Sequence, residues 1–111
     1  MDRLFVPLKN KAFYWFRDCG KTYEIRAYGQ RWNEKHVRKG RSVELRRGYN
    51  TKDRINGKIG KVFVGTLNDI FLKINHKKII PPAESSREAI TIVKQIMKHK
   101  SKFIAFEIKN R

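Results

Sequence analysis

The apolar period of this chain changes at Gly20, and that change restricts the fold more than any other feature. Before it, Ala12, Phe13, Phe16 and Cys19 recur at helical spacing, and Trp15 broadens the stripe. Residues three and four apart share one face of a helix, so the stretch predicts an amphipathic helix with Cys19 on its buried side. Asn10 suits the N-cap and Gly20 the terminus. After Gly20, Tyr23, Ile25 and Ala27 alternate with Thr22, Glu24, Arg26 and Tyr28. A period of two marks a strand with one face buried. A chain that carries both periods has to pack a helix on a sheet.

The remaining segments extend that pattern. Leu4 to Leu8 reads as a short strand, kept to an edge or an end by Pro7, which lacks a ladder N–H. Gly29 to Lys39 is polar and reads as a loop or short helix. Ser42 to Arg46 alternates, with Val43 and Leu45 inward and Glu44 and Arg46 outward. Gly48-Tyr49-Asn50 reads as a turn, Ile59 to Leu67 as a strand, and Asp69 to Ile74 as a short helical turn. Gly57-Lys58-Ile59-Gly60 matches the GxxG string of KH domains. In KH domains that loop joins two helices, whereas these flanks read as turn and strand, so the two glycines are expected to bound a hairpin. After Pro81-Pro82, Ser85 and Glu88 stand three apart as in a capping box. They open a helix whose apolar face is Ala89, Ile90, Val93, Ile96 and Met97, with Lys98, His99 and Lys100 at its cation-favouring end. Ile104, Phe106 and Ile108 alternate with Ala105, Glu107 and Lys109 as a closing strand. The expectation is one α+β, mainly β domain over residues 1–111: a small antiparallel barrel or curled sheet with flanking helices.

Charge restricts the partner. Lys and Arg number 27 against 10 acids, for a net charge of +17. Such a surplus repels itself unless an anion relieves it. Eleven of these cations lie between Arg31 and Lys61, against Glu34, Glu44 and Asp53. A phosphate backbone is the commonest polyanion that such a surface meets. A membrane is not the expected partner: Val62-Phe63-Val64 and Phe103-Ile104-Ala105-Phe106 fall far short of the roughly 20 residues of a span. No stretch joins a basic face to an exposed Trp, Phe or Leu face. The first residues lack the apolar core and cleavage site of a signal peptide, and one cysteine permits no intrachain disulfide, so a cytoplasmic setting is expected. His36, His76 and His99 lie far apart and Cys19 has no cysteine partner, so no metal or other cofactor is expected. Walker A and GxGxxG strings are absent.

Three short motifs carry a family resemblance. Gly20-Lys21-Thr22-Tyr23-Glu24-Ile25-Arg26 is followed by Lys39-Gly40-Arg41-Ser42-Val43-Glu44-Leu45-Arg46 and then by Gly57-Lys58-Ile59-Gly60-Lys61-Val62. In order and spacing this resembles the ASCH domain, with its Gly-Lys-Lys-Thr-like turn into a Glu-x-Arg strand. Phe106-Glu107-Ile108 resembles its closing strand. The resemblance implies a PUA-like β-barrel with two or three flanking helices and a cationic groove lined by Lys21, Glu24 and Arg26. It implies RNA as the ligand, with DNA second.

Arg38, Lys39, Arg41, Arg46, Arg47, Lys58 and Lys61 would then attract phosphates. Trp32, Tyr49 and Tyr28 are stacking candidates, weighed against burial in the barrel wall. Some ASCH relatives hydrolyse N-acetylated cytidine nucleosides with a Lys of this motif, a Thr three residues later and a distant Glu; another is described as a ribonuclease. If this chain is an enzyme, Lys21 and Glu24 would be its catalytic pair. Residue 24 departs from the Thr, and Glu84 is the nearest match for the distant Glu. A third reading is a basic component of a ribonucleoprotein.

Overall fold

A computed structural model describes residues 2–49 and 52–111. Among these residues, five strands and three α-helices follow one another: β1 (Leu4–Leu8), α1 (Asn10–Asp18), β2 (Tyr23–Ala27), β3 (Ser42–Arg47), β4 (Arg54–Gly65), α2 (Leu67–Lys73), α3 (Ser86–Ile96) and β5 (Phe103–Lys109). A single turn of 3-10 helix (His76–Lys78) lies between α2 and α3. The strands form one curled sheet in the order β1-β3-β4-β5-β2. Only β1 and β3 run parallel, with Leu4 opposite Val43; the other pairs are antiparallel. The fold is therefore α+β and mainly β, an open half-barrel whose two edges are β1 and β2.

Two apolar clusters hold it. Inside the curl, Val6, Leu8, Val43, Leu45, Ile59, Ile104, Phe106 and Ile108 pack against Phe13 and Phe16 of α1. On the other side of β2 and β5, Tyr23, Ile25, Phe103 and Ala105 pack beneath α2 and α3. Strand β5 is thus apolar on both faces, which explains its run Phe103-Ile104-Ala105-Phe106. The polar 29–39 segment has turns but no helix, and it drops Val37, 1% exposed, into the inner cluster.

Several sequence expectations are corrected. Cys19 is exposed: α1 stops at Asp18, and Cys19 is its C-cap, followed by Gly20 at φ +79°. Asn10 is the first helical residue, behind Lys9 as N-cap, and no side chain caps the end. Strand β4 begins at Arg54 and not at Ile59, so Gly57 and Gly60 lie within a strand instead of bounding a hairpin. Ile59 faces Ile108 and Val62 faces Phe106, which leaves one extra residue on β4, a bulge. The β3–β4 hairpin is closed by the Arg47 amide bonding to the Asp53 carbonyl, with Gly48 at φ +63°. Asn50 of the expected turn lies outside the described residues. Helix α3 does start at a Ser85 cap that accepts from the Glu88 amide, but Ile96 is 62% exposed. Glu44 lies on the outward face yet is only 1% exposed, because arginines cover it. Among the described residues, no helix is long and apolar enough to cross a membrane.

Candidate nucleic-acid site

Strands β1 and β2 are both sheet edges, and a cavity of about 340 Å³ opens between them. Its polar floor is Lys21, Glu24 and Arg26. Its apolar walls include Trp15 of α1, Ile80, and Val93, Ile96 and Met97 at the end of α3. Ile96 is exposed because it stands at this opening.

The floor is a chain of charges. Glu24 pairs across the sheet with Phe106, and Arg26 with Ile104, so both side chains point into the curl. Arg26 donates through Nε to Glu24 at 2.9 Å and through a terminal nitrogen to the Pro7 carbonyl at 2.7 Å. The second bond crosses the open seam from β2 to β1. Lys21 follows the turn glycine Gly20 but is not a solvent-exposed turn residue; it is 2% exposed. Its Nζ donates to the Ile79 carbonyl at 2.5 Å, lies 3.5 Å from Glu24 Oε1, and sits 5.0 Å from the centre of the Phe16 ring. Burial pulls the Lys21 ammonium below the usual lysine range; Glu24 pushes it back up, and the nearby Arg26 cation lowers it further.

Trp32 joins this group from the 29–39 loop. Its ring stacks on Phe106 at 6.1 Å, and the Arg26 guanidinium lies 4.7 Å from its centre. Trp32 is half-buried, and its ring packs against the Arg26 guanidinium that also holds Glu24. The structure therefore brings Lys21, Glu24, Arg26 and Trp32 together.

The rest of the expected basic set stands elsewhere. Arg38 and Lys39 are exposed before β3, and Arg41 is tied to the Asp2 and His36 carbonyls. Arg46 bonds Glu44, and Arg47 bonds Asp53 at 2.7 Å. Tyr49 is 89% exposed in the hairpin, while Lys58 and Lys61 are exposed along β4. None of these residues lines the cavity. Tyr28 donates its hydroxyl to Glu34 and carries Lys102 over its ring. Glu84 is exposed and does not line the cavity either. The apolar walls carry no signal of their own in the sequence. Trp15 was visible only as a helical-face residue, and the Pro7 carbonyl gives no signal in a side-chain pattern.

An open, curled half-barrel with one helix inside the curl and two on the other side of the sheet is an ASCH-type fold, as the solved structures it resembles show. The solved structure of ASCH from Zymomonas mobilis superposes at a TM-score of 0.66 with 12% identity, over 96% of this chain and 66% of that one. The crystal structure of hypothetical protein PH0355 superposes at 0.75 with 16% identity, over 97% and 98%. The solution structure of PF0455 from Pyrococcus furiosus gives 0.68 with 14% identity, over 97% and 96%. No protein-family model matches the sequence, and no curated protein matches it.

Proposed function

We propose that this protein binds single-stranded RNA, seating one unpaired base in the cavity between β1 and β2 and holding flanking phosphates on its basic surface. The observation that carries this reading is the cavity itself: apolar walls over a Lys21–Glu24–Arg26 floor, in a chain of net charge +17. The walls suit the faces of a base. Glu24 can accept from an exocyclic amino group, and Arg26 can donate to a carbonyl or phosphate oxygen. Few ligands other than nucleic acid call for both an apolar slot and so large a positive field.

Hydrolysis of N-acetylated cytidine is disfavoured by two features: Glu24 replaces the expected threonine, and Glu84 lies outside the cavity. The test is an anisotropy titration of one labelled sequence, as RNA and as DNA, against wild type and Arg26→Gln. The RNA is expected to bind more tightly, and Arg26→Gln to weaken it at every salt concentration. With about six phosphates neutralised on a single strand, raising salt from about 50 to about 200 mM should cost on the order of 300-fold in affinity. Affinity indifferent to salt would refute the reading. Multiple turnovers of N-acetylcytidine or RNA that vanish in Lys21→Met would make the protein an enzyme instead.

A further inference from the structure

A second cluster of charge lies on the outward face of β1, β3 and β4, away from the cavity floor. Register places Phe5 opposite Glu44, Glu44 opposite Asn56, and Arg46 opposite Arg54. Glu44 is 1% exposed and is met by three guanidinium groups: Arg3 at 3.0 Å, Arg54 at 3.5 Å, and Arg46 through Nε. Three cations on one carboxylate leave a surplus of two positive charges. The carboxylate is covered, and the side chains of Arg3 and Arg54 are 50% and 51% exposed, so an approaching molecule meets the cations.

Neutralising Glu44 would require a single arginine. The other two are in excess of that need, and Arg46 and Arg3 each have a second contact that positions them. Arg46 is fixed from two directions, by Glu44 and by the Phe5 ring, which its guanidinium overlies at 3.8 Å. Arg3 reaches both Glu44 and, at 3.5 Å, the Asn56 side chain. Each guanidinium has five donors and spends only one or two of them on described residues, which leaves N–H groups to bind an incoming anion. Pre-positioned arginines lose less freedom on binding, and their planar forks match phosphate oxygens in pairs.

We propose that this face is a second phosphate site, at which Arg3, Arg46 and Arg54, ordered around Glu44, grip the backbone of a bound single-stranded RNA. It rests on the RNA-binding reading and adds to it a contact outside the cavity, so that the strand is held at two places. Glu44 is a positioning residue in this arrangement.

The test uses the double variant Arg3→Gln/Arg54→Gln, which keeps the Arg46–Glu44 pair and alters only half-exposed side chains. The probes are a short oligouridine and inorganic tripolyphosphate. Removing two phosphate contacts should lower the salt slope of oligouridine binding by about 1.4 and weaken binding on the order of 25-fold at about 0.1 M salt. Tripolyphosphate should shift the side-chain nitrogen signals of Arg3, Arg46 and Arg54 in wild type. An unchanged slope in the double variant overturns the second site while leaving the cavity reading intact. If wild type binds no oligouridine, the RNA reading falls, and tripolyphosphate then decides whether the anion site stands alone. If those arginine signals do not move, the anion site falls whatever the oligouridine does.

Discussion

Lys21→Met separates a residue kept for binding from one kept for stability. In the fold the Lys21 ammonium is buried, 3.5 Å from Glu24 and bonded to the Ile79 carbonyl. At an effective dielectric of about 20, an ion pair at that distance is worth roughly 5 kcal/mol of attraction. Against it stand several kcal/mol for stripping water from the ammonium, and the repulsion of Arg26. The two sides nearly cancel.

Methionine keeps most of the volume and removes the charge. Glu24 is not orphaned, because Arg26 still holds it at 2.8 Å. What is lost is one charged hydrogen bond, which leaves a carbonyl short of a donor at a cost of about 1–3 kcal/mol. The expected outcome is a loss of unfolding free energy of about 1–3 kcal/mol, with RNA affinity lost. A lysine whose folded pKa lies below 10.5 binds its proton less well folded than unfolded. Its penalty is therefore full below the folded pKa and lifts as pH rises from there toward the unfolded value. Wild type should gain stability as pH rises toward the unfolded value, and Lys21→Met should lack the gain. Urea denaturation at neutral and alkaline pH reads both quantities. A loss of more than about 3 kcal/mol with RNA affinity intact would show that Lys21 is a structural staple, as in buried pairs that fail when one partner is removed.

Trp32→Ala removes a ring packed on Phe106 and under Arg26, and should cost about 3 kcal/mol of stability as well as affinity. An unchanged melting temperature with lost affinity would return Trp32 to the role of a free stacking platform. Burial drives the Glu44 carboxyl up, but hydrogen bonds from Arg46 and Arg3 and the charge of Arg54 outweigh it, so its folded pKa lies below 4.5. Its stabilisation is complete above 4.5 and disappears as pH falls through the folded pKa, so wild type should lose melting temperature in that acid window while Glu44→Gln responds less; parallel curves would refute the pairing. Gly57→Ala would place a Cβ 2.7 Å from the Lys109 carbonyl and 2.9 Å from Ile108, at a cost of about 1–3 kcal/mol by denaturant titration. A neutral effect would mean that β4 and β5 part there easily.

What was legible in the sequence depended on distance along the chain. Helix α1 and strand β2 show in their local periods, and the Ser85 cap of α3 lies three residues from its partner. The first half of β4 was hidden because Asn56, Gly57 and Lys58 have poor strand propensity; cross-strand pairing with Ser42 to Arg46 overrides it. Lys21 read as a turn residue because its partner, the Ile79 carbonyl, is 58 positions away. Glu44 read as solvated because Arg3, which covers it, is 41 positions away. Lys21, Glu24 and Arg26 are legible as a group because they lie within six consecutive residues, the last two on β2. The apolar walls are not, since α1 and α3 converge on the seam only after the sheet curls.

The single bond from Arg26 to the Pro7 carbonyl has a further consequence, for association. In a strand, the N–H and C=O of one residue point to the same side, so Pro7 presents its missing donor and its carbonyl on the open edge of β1. Arg26 already occupies that carbonyl. A foreign strand that tried to extend the sheet at β1 would find one rung without a donor and its acceptor taken, with the half-buried Arg26 side chain in the way. An open barrel needs such a guard, because an unpaired edge invites aggregation. The seam therefore stays open as a cavity while its β1 edge is closed, at Pro7, to the backbone of another chain.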